Sequence, residues 1–447
     1  MHGDLRRAGG AHRSIGRVPR TLLAVTVAVL AALHGLPAPA ARASQILVMG
    51  DDGAAHVVRD RLPALPPAEP APPGPRPAAA ASARAARDAP TLPAEIRRLL
   101  LAGEVTQQDA GADLALHREA RLLVKHLKGR RSAEIAGVLR SFKGMAADGL
   151  VTAQRLPLMM LTLRRNVQWW ARGPLLPYGQ RVRFAHSRLV WQSYPGQGIQ
   201  IQWLGTFARA NQLYLALAYD AELRGLLDEI VASAVPRAGG IAWEYLFSFD
   251  GGRPPWTSGL AQATAIQALS RGAVRLHHND YFLQARAALG IFTAPPPSGV
   301  RVATAAGAHY LAYSYAPGQR IYNAFFQAVV GLHDFAALAN DARARSLYLS
   351  GVREAAVEVT AADTGTWSLY SPGVPSDLGY HTVLRDFSRS LCRRLEVDRE
   401  RAVGALRAAK GPGAVLTSVR SFPDPDAFCL ATRDFTRELY SRLGLFG

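Results

Sequence analysis

The chain has 447 residues, 49% of them apolar, and its 52 lysines and arginines outnumber its 34 acidic residues, giving a formal charge of +18. This length and apolar content support a sizeable core and exclude a wholly disordered protein. The only cysteines, Cys392 and Cys429, are too few for a disulfide-rich mini-protein or a multi-cysteine zinc protein. The excess of positive charge predicts a polyanionic partner, which could be nucleic acid, an anionic membrane surface or an acidic polymer.

The first 43 residues have the pattern of a secretory signal peptide. Five arginines precede an apolar run over 22–36, and Ala41-Arg42-Ala43 offers a cleavage site between small residues. The run is short for a membrane span, so an uncleaved membrane anchor is the alternative. Cleavage removes six basic residues and one acidic residue, which leaves +13 on a mature chain outside the cytoplasm. We expect no nucleic acid partner there and no stable membrane insertion after cleavage.

A proline- and alanine-rich stretch follows over residues 44–94. It has almost no aromatic or β-branched side chains, so it cannot bury enough apolar surface to offset the entropy of ordering. We expect a disordered linker, partly of the polyproline type, that tethers the folded part of the chain. Residues 46–49 are a short strand candidate near its start.

From residue 95 onwards, apolar residues recur every three to four positions, which predicts amphipathic helices. We expect an N-terminal helical region over 95–172 and a short β or loop segment over 173–198, where Val182, Phe184 and Trp191 alternate with polar residues. Further helices are predicted near 201–219, 220–233, 257–272, 280–290, 320–339, 341–357, 380–396, 398–409 and 431–444.

So many short-linked helices with few strands predict a mainly α protein. An array of helical hairpins, arranged as an α/α toroid over 199–447, is the favoured architecture, because each hairpin can bury its apolar face only against the next. The sequence contains no dinucleotide-binding glycine motif, P-loop, HExxH motif or GxSxG elbow. Neither a metal nor a cofactor is therefore predicted, and the adjacent His277 and His278 indicate a solvated turn.

Four segments combine aromatic, amide and hydroxyl side chains with turn-forming glycine and proline. Exposed tryptophan and tyrosine with such neighbours can stack on sugar rings and hydrogen-bond to them, although these residues are also common in cores and at helix ends. The segments are 194–203, 254–262, 310–324 and 363–370 with 379–382.

In this order, the segments resemble the C-terminal domain of the D-glucuronyl C5-epimerases, which act on heparan-type polysaccharides. The matching phrases are Ile199-Gln-Ile-Gln-Trp-Leu-Gly205, Pro255-Trp-Thr-Ser-Gly-Leu-Ala-Gln262, the run Tyr322 to Asp334, Asp363-Thr-Gly365 and Tyr380-His-Thr382. The resemblance covers about 194–395. It implies an α/α toroid and a reaction that removes the C5 proton of a hexuronate within a polymer and returns one to the opposite face, without a redox cofactor.

The resemblance also implies site residues. Tyr313, Tyr370 and Tyr380 fall on family tyrosines and are the catalytic candidates. A tyrosine can act as acid or base only if nearby cations lower its pKa from roughly 10. The substrate-binding candidates are Tyr194, Gln197, Trp256, Gln262, Arg320, Asn323, His381 and Arg385.

The chain departs from the family pattern at two places. Leu311 and Ala312 stand where the family has paired glutamates, and Gly373 falls near a family arginine. Proton abstraction would then depend on Tyr313 or a residue from elsewhere. Carboxylate binding would depend on another cation, such as Arg320 or Arg385.

Two other functional classes remain open. A toroidal glycoside hydrolase needs two carboxylates across the scissile bond, for which Glu244, Asp250 and Asp363 are available, while a uronate lyase shares its first step with an epimerase. A non-catalytic protein of the same fold could bind acidic polysaccharide through its basic surface. In each case the predicted partner is an acidic, uronate-containing polysaccharide outside the cytoplasm, where Cys392 and Cys429 could form a disulfide.

Overall fold

The computed structural model describes residues 44–63, 65, 89–410 and 423–444. The predicted signal peptide and residues 64 and 66–88 of the predicted linker lie outside these residues. The helices are α1 Leu92–Leu101, α2 Gln107–His126, α3 Gly129–Ala147, α4 Leu156–Arg172, α5 Trp203–Leu215, α6 Asp220–Ala232, α7 Gly259–Leu276, α8 Asp280–Ala287, α9 Tyr322–Leu338, α10 Ala342–Ala362, α11 Leu378–Lys410 and α12 Asp426–Arg442, with a 3-10 helix at Ala288–Phe292.

The strands are short. They are β1 Ser44–Met49, β2 Ala55–Asp60, β3 Arg181–Phe184, β4 Trp191–Tyr194, β5 Gly198–Ile201, β6 Val235–Arg237, β7 Gly240–Ala242, β8 Arg301–Ala303, β9 Ala308–Tyr310, β10 Leu369–Ser371 and β11 Val374–Pro375. The first five form one sheet in the order β2-β1-β3-β4-β5, and the others form three two-stranded hairpins.

The linker prediction is wrong at its beginning. Residues 44–60 form the hairpin β1–β2, and β1 pairs in parallel with β3, which places Leu47 opposite Val182. The strand candidate at 46–49 belongs to β1. Local composition could not show this pairing, because the partner strand lies more than a hundred residues further along the chain.

The N-terminal helices α1 to α4 were predicted from apolar spacing, and helix α1 begins slightly earlier than expected, after the N-cap Thr91. Helix α4 covers one face of the sheet with Trp169, whose ring meets Phe184 edge-on at 5.9 Å. The Asn166 side chain bonds to edge strand β5, donating to the Ile199 carbonyl and accepting from the Ile199 N–H, both at 2.7 Å.

The C-terminal half is a row of four helical hairpins. Helices α5, α7, α9 and α11 pack on one another in sequence as an inner row, and α6, α8, α10 and α12 pack behind them as an outer row. This arrangement is an incomplete α/α toroid and confirms the predicted fold class. Helices α7 and α9 approach closely at Gly331 of α9, where a Cβ atom would lie 2.4 Å from the carbonyl oxygen of Ala263 in α7.

One buried ionic cluster joins three inner helices. Asp334 of α9 accepts hydrogen bonds from Gln267 and Arg271 of α7, at 2.8 and 3.0 Å, and from Arg394 of α11 at 2.8 Å. Although burial opposes ionisation, the Arg394 guanidinium, together with His333 and Arg271, holds the pKa of Asp334 well below its usual range. The cluster therefore keeps a charged carboxylate inside the toroid.

Two boundaries differ from the sequence interpretation. Residues 199–201 form β5 and not the start of a helix; α5 begins at Trp203, after Gln202 caps it by accepting the Gly205 N–H. The helices predicted at 380–396 and 398–409 are one continuous helix, α11. A Cys392–Cys429 disulfide joins α11 to α12. Within the described residues, no helix combines the length and the apolar character that crossing a bilayer requires.

Candidate active site

A cleft lies at the N-terminal ends of the inner helices. It has a volume of about 540 Å³, counting the part that is open to solvent. The lining residues come from β4, the N-terminal turns of α5, α7, α9 and α11, and the loops that precede them. They are Tyr194, Gln202, Leu204, Tyr245, Phe247, Phe249, Trp256, Ser258, Leu260, Ala312, Tyr313, Ile321, Asn323, Ala324, Tyr370 and Tyr380. We call this space the tyrosine cleft.

All three catalytic candidates line the tyrosine cleft. Tyr313 follows β9, Tyr370 lies on β10 and Tyr380 lies in the first turn of α11, so three separate segments contribute them. The rings of Tyr370 and Tyr380 are 4.6 Å apart, and Tyr313 packs with Tyr370 on the small apolar cluster of Ala312, Ile321 and Ala324. The fold thus brings together residues that are up to 67 positions apart.

An aromatic wall closes one side of the cleft. Trp256 stacks on Tyr245 at 4.1 Å and meets Tyr313 edge-on at 5.7 Å, while Tyr194 packs against Phe247 at 4.4 Å. The predicted residues Tyr194 and Trp256 are therefore at the site. Aromatic faces of this kind can stack on a sugar ring.

Tyr245 is a lining residue that sequence reasoning missed. Its hydroxyl accepts a hydrogen bond of 3.2 Å from the N–H of Leu204, which lies in the first turn of α5. The run 243–250, with its alternating aromatic residues, was the available signal, but it was interpreted through its acidic residues Glu244 and Asp250.

None of the cleft-lining residues that the structure describes carries a charge. Ala312, at the position of a family glutamate, faces the cleft with a methyl group. The carboxylates considered for a hydrolase are elsewhere: Glu244 is fully buried and forms ion pairs with Arg155 and Arg237 at 2.6 and 2.7 Å. Among the described residues, the cleft lining therefore has no carboxylate that could act as a general base and no cationic side chain that could hold a substrate carboxylate.

Helix N-termini supply positive potential there. Gln202, Ser258 and Ile321 are the N-cap residues of α5, α7 and α9, and all three line the cleft. Tyr380 adds the first turn of α11. Each helix N-terminus is equivalent to roughly half a positive charge, and its first N–H groups point outwards from that end. At α11 the Asp377 carboxylate accepts from the Tyr380 N–H at 2.7 Å and offsets the positive potential of that end. The ends of α5, α7 and α9 therefore suit the tyrosine cleft to an anion, although none of its described lining residues is cationic.

Helix α9 is the most open of these termini. Its N-cap is Ile321, whose side chain cannot accept a hydrogen bond, whereas Gln202 and Ser258 each accept one from their own helix. In the first turn of α9, the Oδ1 atom of Asn323 is buried without a hydrogen-bond partner among the described residues. Such an atom usually has a partner in proteins, so a hydrogen-bond donor on a ligand is expected at Asn323.

Two predicted binding residues are structural. Gln262 is fully buried and its amide bonds to both the N–H and the carbonyl of Trp243, at 3.3 and 2.9 Å. His381 is also fully buried, between Ser368 Oγ and the Phe435 carbonyl, and burial lowers its pKa to about 4. Neither residue reaches the cleft, so their assignment to substrate binding is corrected.

The other three predicted binding residues also lie away from the cleft lining. Arg320 forms ion pairs with Glu354 and Glu358, and Arg385 pairs with its neighbour Asp386. Gln197 lies in a separate depression beside Ser141. Neither arginine is therefore placed to hold a carboxylate in the tyrosine cleft, which corrects the expectation from sequence.

Comparison with known proteins gives a family match for part of the chain. A family model for the D-glucuronyl C5-epimerase C-terminus matches residues 239–395. No curated protein matches the chain. Among solved structures, endo-beta-1,4-glucanase CMCax from Acetobacter xylinum is similar, with a TM-score of 0.34 and 14% identity over 57% of this chain and 94% of that chain. The residues that match this family model, 239–395, are about a third of the chain and include Tyr313, Tyr370 and Tyr380.

Proposed function

We propose that the protein is a polysaccharide uronate C5-epimerase of the glucuronate-to-iduronate type. The observation that carries the proposal is the meeting of Tyr313, Tyr370 and Tyr380 in one cleft inside the family-matched region. The match of residues 239–395 to the D-glucuronyl C5-epimerase C-terminus model supports the same class of substrate.

The reaction needs one proton acceptor and one proton donor. A tyrosine in its phenolate form takes the C5 proton, and the electrons of the broken C–H bond delocalise into the carboxylate as an enediolate. A second tyrosine donates a proton to C5 on the opposite face, so that the substrate and product differ only in configuration. No electron acceptor is consumed. We assign the pair Tyr370 and Tyr380 to one face and Tyr313 to the other.

The enediolate carries more negative charge than the resting carboxylate, so its stabilisation determines the rate. The N-termini of α5, α7, α9 and α11 are directed at the cleft, and the open first turn of α9 is the best site for a carboxylate oxygen. Asn323 lies in that turn. In this proposal the helix ends act in place of the arginine that the family has near the position of Gly373.

The polymer is proposed to be an acidic, uronate-containing polysaccharide met outside the cytoplasm. The mature charge of +13 favours a polyanion, and the Cys392–Cys429 disulfide fits an oxidising compartment. Tyr194, Tyr245 and Trp256 give the cleft an aromatic lining against which a sugar ring can pack.

The test is incubation of the purified mature protein with glucuronate polymers in D2O, followed by proton NMR. Deuterium at C5 together with both uronate isomers is the expected result. An unsaturated product would identify a lyase, and new reducing ends would identify a hydrolase; either would overturn the proposal.

A second candidate function is binding of the same polysaccharide without turnover. The observation that favours it is the absence of any charged residue among the described lining of the tyrosine cleft. Salt-sensitive binding without deuterium incorporation on any uronate polymer would select this candidate over the epimerase.

A further inference from the structure

A second cavity lies beside the five-stranded sheet. It has a volume of about 1020 Å³, counting its open part, and is lined by residues of β1, β2, β3, the loop before β4, and helices α5 and α6. Its charged lining residues are Arg181, Arg183, Arg188, Arg209, Asp60 and Glu222. Four guanidinium groups against two carboxylates leave a net charge of +2, and we call this cavity the arginine pocket.

The carboxylates of the arginine pocket are already engaged. Asp60 accepts from Arg183 at 2.5 Å and from the N–H of Leu62 at 3.0 Å. Glu222 accepts from Arg188 at 3.2 Å, and Arg188 also lies 3.5 Å from Glu229, outside the pocket lining. These ion pairs engage Arg183 and Arg188, two of the four arginines.

Arg209 is the exception. Its side chain is buried, with the residue only 4% exposed, and its Nε and Nη1 atoms have no hydrogen-bond partner among the described residues. The nearest carboxylate oxygen is on Asp60, 3.8 Å from Nη2 and beyond hydrogen-bond distance. Burial lowers the pKa of Arg209 to about 10, which still leaves it protonated at neutral pH. A buried cation with unmade hydrogen bonds is costly unless an anion completes it.

The arginine pocket adjoins the tyrosine cleft. Arg181 pairs across the sheet with Gln192, and Tyr194, two residues further along β4, lies on the same face and lines the cleft. At a second point, the N–H of Gln202, a cleft residue, donates to the carbonyl of Val190, a pocket residue, at 2.8 Å. The linings of the two cavities are therefore in direct contact through strand β4 and the backbone of Gln202.

We propose that the arginine pocket is a subsite for an oxyanion of the polysaccharide, with Arg209 as its central ligand. The oxyanion is a uronate carboxylate or a sulfate on a sugar residue beyond the one held in the tyrosine cleft. This assignment rests on the proposed polysaccharide substrate but not on epimerisation. It separates the two tasks of the site: the pocket binds a fixed charge, and the cleft performs proton transfer.

The test compares Arg209→Gln with the wild type, using Arg345→Gln on α10 as a control of equal charge change. Binding of an unsulfated glucuronate oligosaccharide, its sulfated form and its unsulfated, carboxyl-reduced form is measured by calorimetry at two salt concentrations. We expect Arg209→Gln to bind the anionic oligosaccharides at least tenfold more weakly, with a smaller salt dependence, and the control to bind like the wild type. Tighter binding of the sulfated form assigns sulfate; equal binding assigns carboxylate.

Stability provides an independent readout. Because Nε and Nη1 of Arg209 have no hydrogen-bond partner among the described residues and Asp60 is 3.8 Å from Nη2, Arg209→Gln should unfold at the same temperature as the wild type or higher, whereas a structural arginine would lower it. Arg181→Gln, also in the pocket, should weaken binding too. Unchanged binding in both variants, a marked loss of stability in Arg209→Gln, or equal binding of the unsulfated, carboxyl-reduced form would overturn the subsite.

The exchange experiment keeps this inference apart from the proposed function. Arginine-dependent binding without C5 exchange in the wild type would leave the subsite standing and reject the epimerase. C5 exchange in the wild type together with an unchanged KM in Arg209→Gln would support the epimerase and reject the subsite.

Discussion

The tyrosine cleft and the arginine pocket are neighbours that deal with negative charge in different ways. The cleft is lined by hydroxyl and aromatic groups and by helix N-termini, and none of its described lining residues is charged. The pocket has four guanidinium groups. A group that moves a proton must change its charge during the reaction, whereas a group that holds a polymer must not. Dividing the two tasks between separate cavities suits a tyrosine-based reaction.

Buried arginines elsewhere in the chain provide the reference for Arg209. Arg271 and Arg394 are buried on Asp334, and removing that carboxylate in Asp334→Ala leaves two cations unpaired. We expect a loss of about 3–5 kcal/mol in the free energy of unfolding, measured by denaturant titration. A loss below about 1 kcal/mol would mean that unpaired buried arginines are cheap in this fold, which would remove the reason for expecting an anion at Arg209.

Loss of a single hydroxyl in the cleft should stop the chemistry without affecting binding. Tyr380→Phe is expected to lower C5 deuterium incorporation at least about 100-fold, because a positioned acid or base contributes that much or more. Oligosaccharide affinity should stay within about twofold. Tyr440→Phe on α12 is the matched control, and full exchange in Tyr380→Phe would exclude this tyrosine from the mechanism.

The pH dependence of stability should reflect His381, which lies outside both cavities. Its pKa is lowered by burial to about 4 in the folded protein and is roughly 6.5 unfolded, so protonation favours unfolding. Its contribution is fully present above pH 6.5 and should fall by about 2 kcal/mol on going to pH 5. His381→Gln should lack this part of the decline in thermal unfolding scans. Parallel curves for both proteins would contradict the assignment.

The smallest effect is expected at Asn323. Because its Oδ1 atom has no hydrogen-bond partner within the described structure, Asn323→Ala should leave the unfolding temperature unchanged. It should lower kcat/KM for exchange about fivefold, the cost of one lost hydrogen bond from a sugar hydroxyl to Oδ1. Reduced stability with unchanged kinetics would instead make Asn323 a structural residue.

Much of the fold followed from local pattern. Apolar spacing located the inner helices, and family resemblance selected tyrosines that do share a cleft. Some predicted binding residues are wrong because they lie too far along their helices. The cleft reaches only the first turn of each inner helix, so Ser258 and Leu260 line it, while Gln262 lies about one turn further in. The same reasoning removes Arg385, which lies beyond the first turn of α11.

The arginine pocket could not have been predicted locally. Arg183 and Arg209 lie on different elements, and Asp60 comes from a strand that sequence composition assigned to a linker. Only the parallel pairing of β1 with β3 brings these residues together. Long-range strand pairing leaves little trace in a single sequence, so the charges that it gathers appear scattered along the chain.

The side chain of Asn166 has a consequence for the behaviour of the protein in solution. Strand β5 is the outer strand of its sheet, and an outer strand with open N–H and carbonyl groups can recruit a strand from another molecule. By bonding to both backbone groups of Ile199, the amide of Asn166 occupies the place that an incoming strand would take. A side chain from helix α4 thus blocks the open edge of β5. Asn166→Leu should leave the backbone groups of Ile199 free to pair with a strand of another molecule.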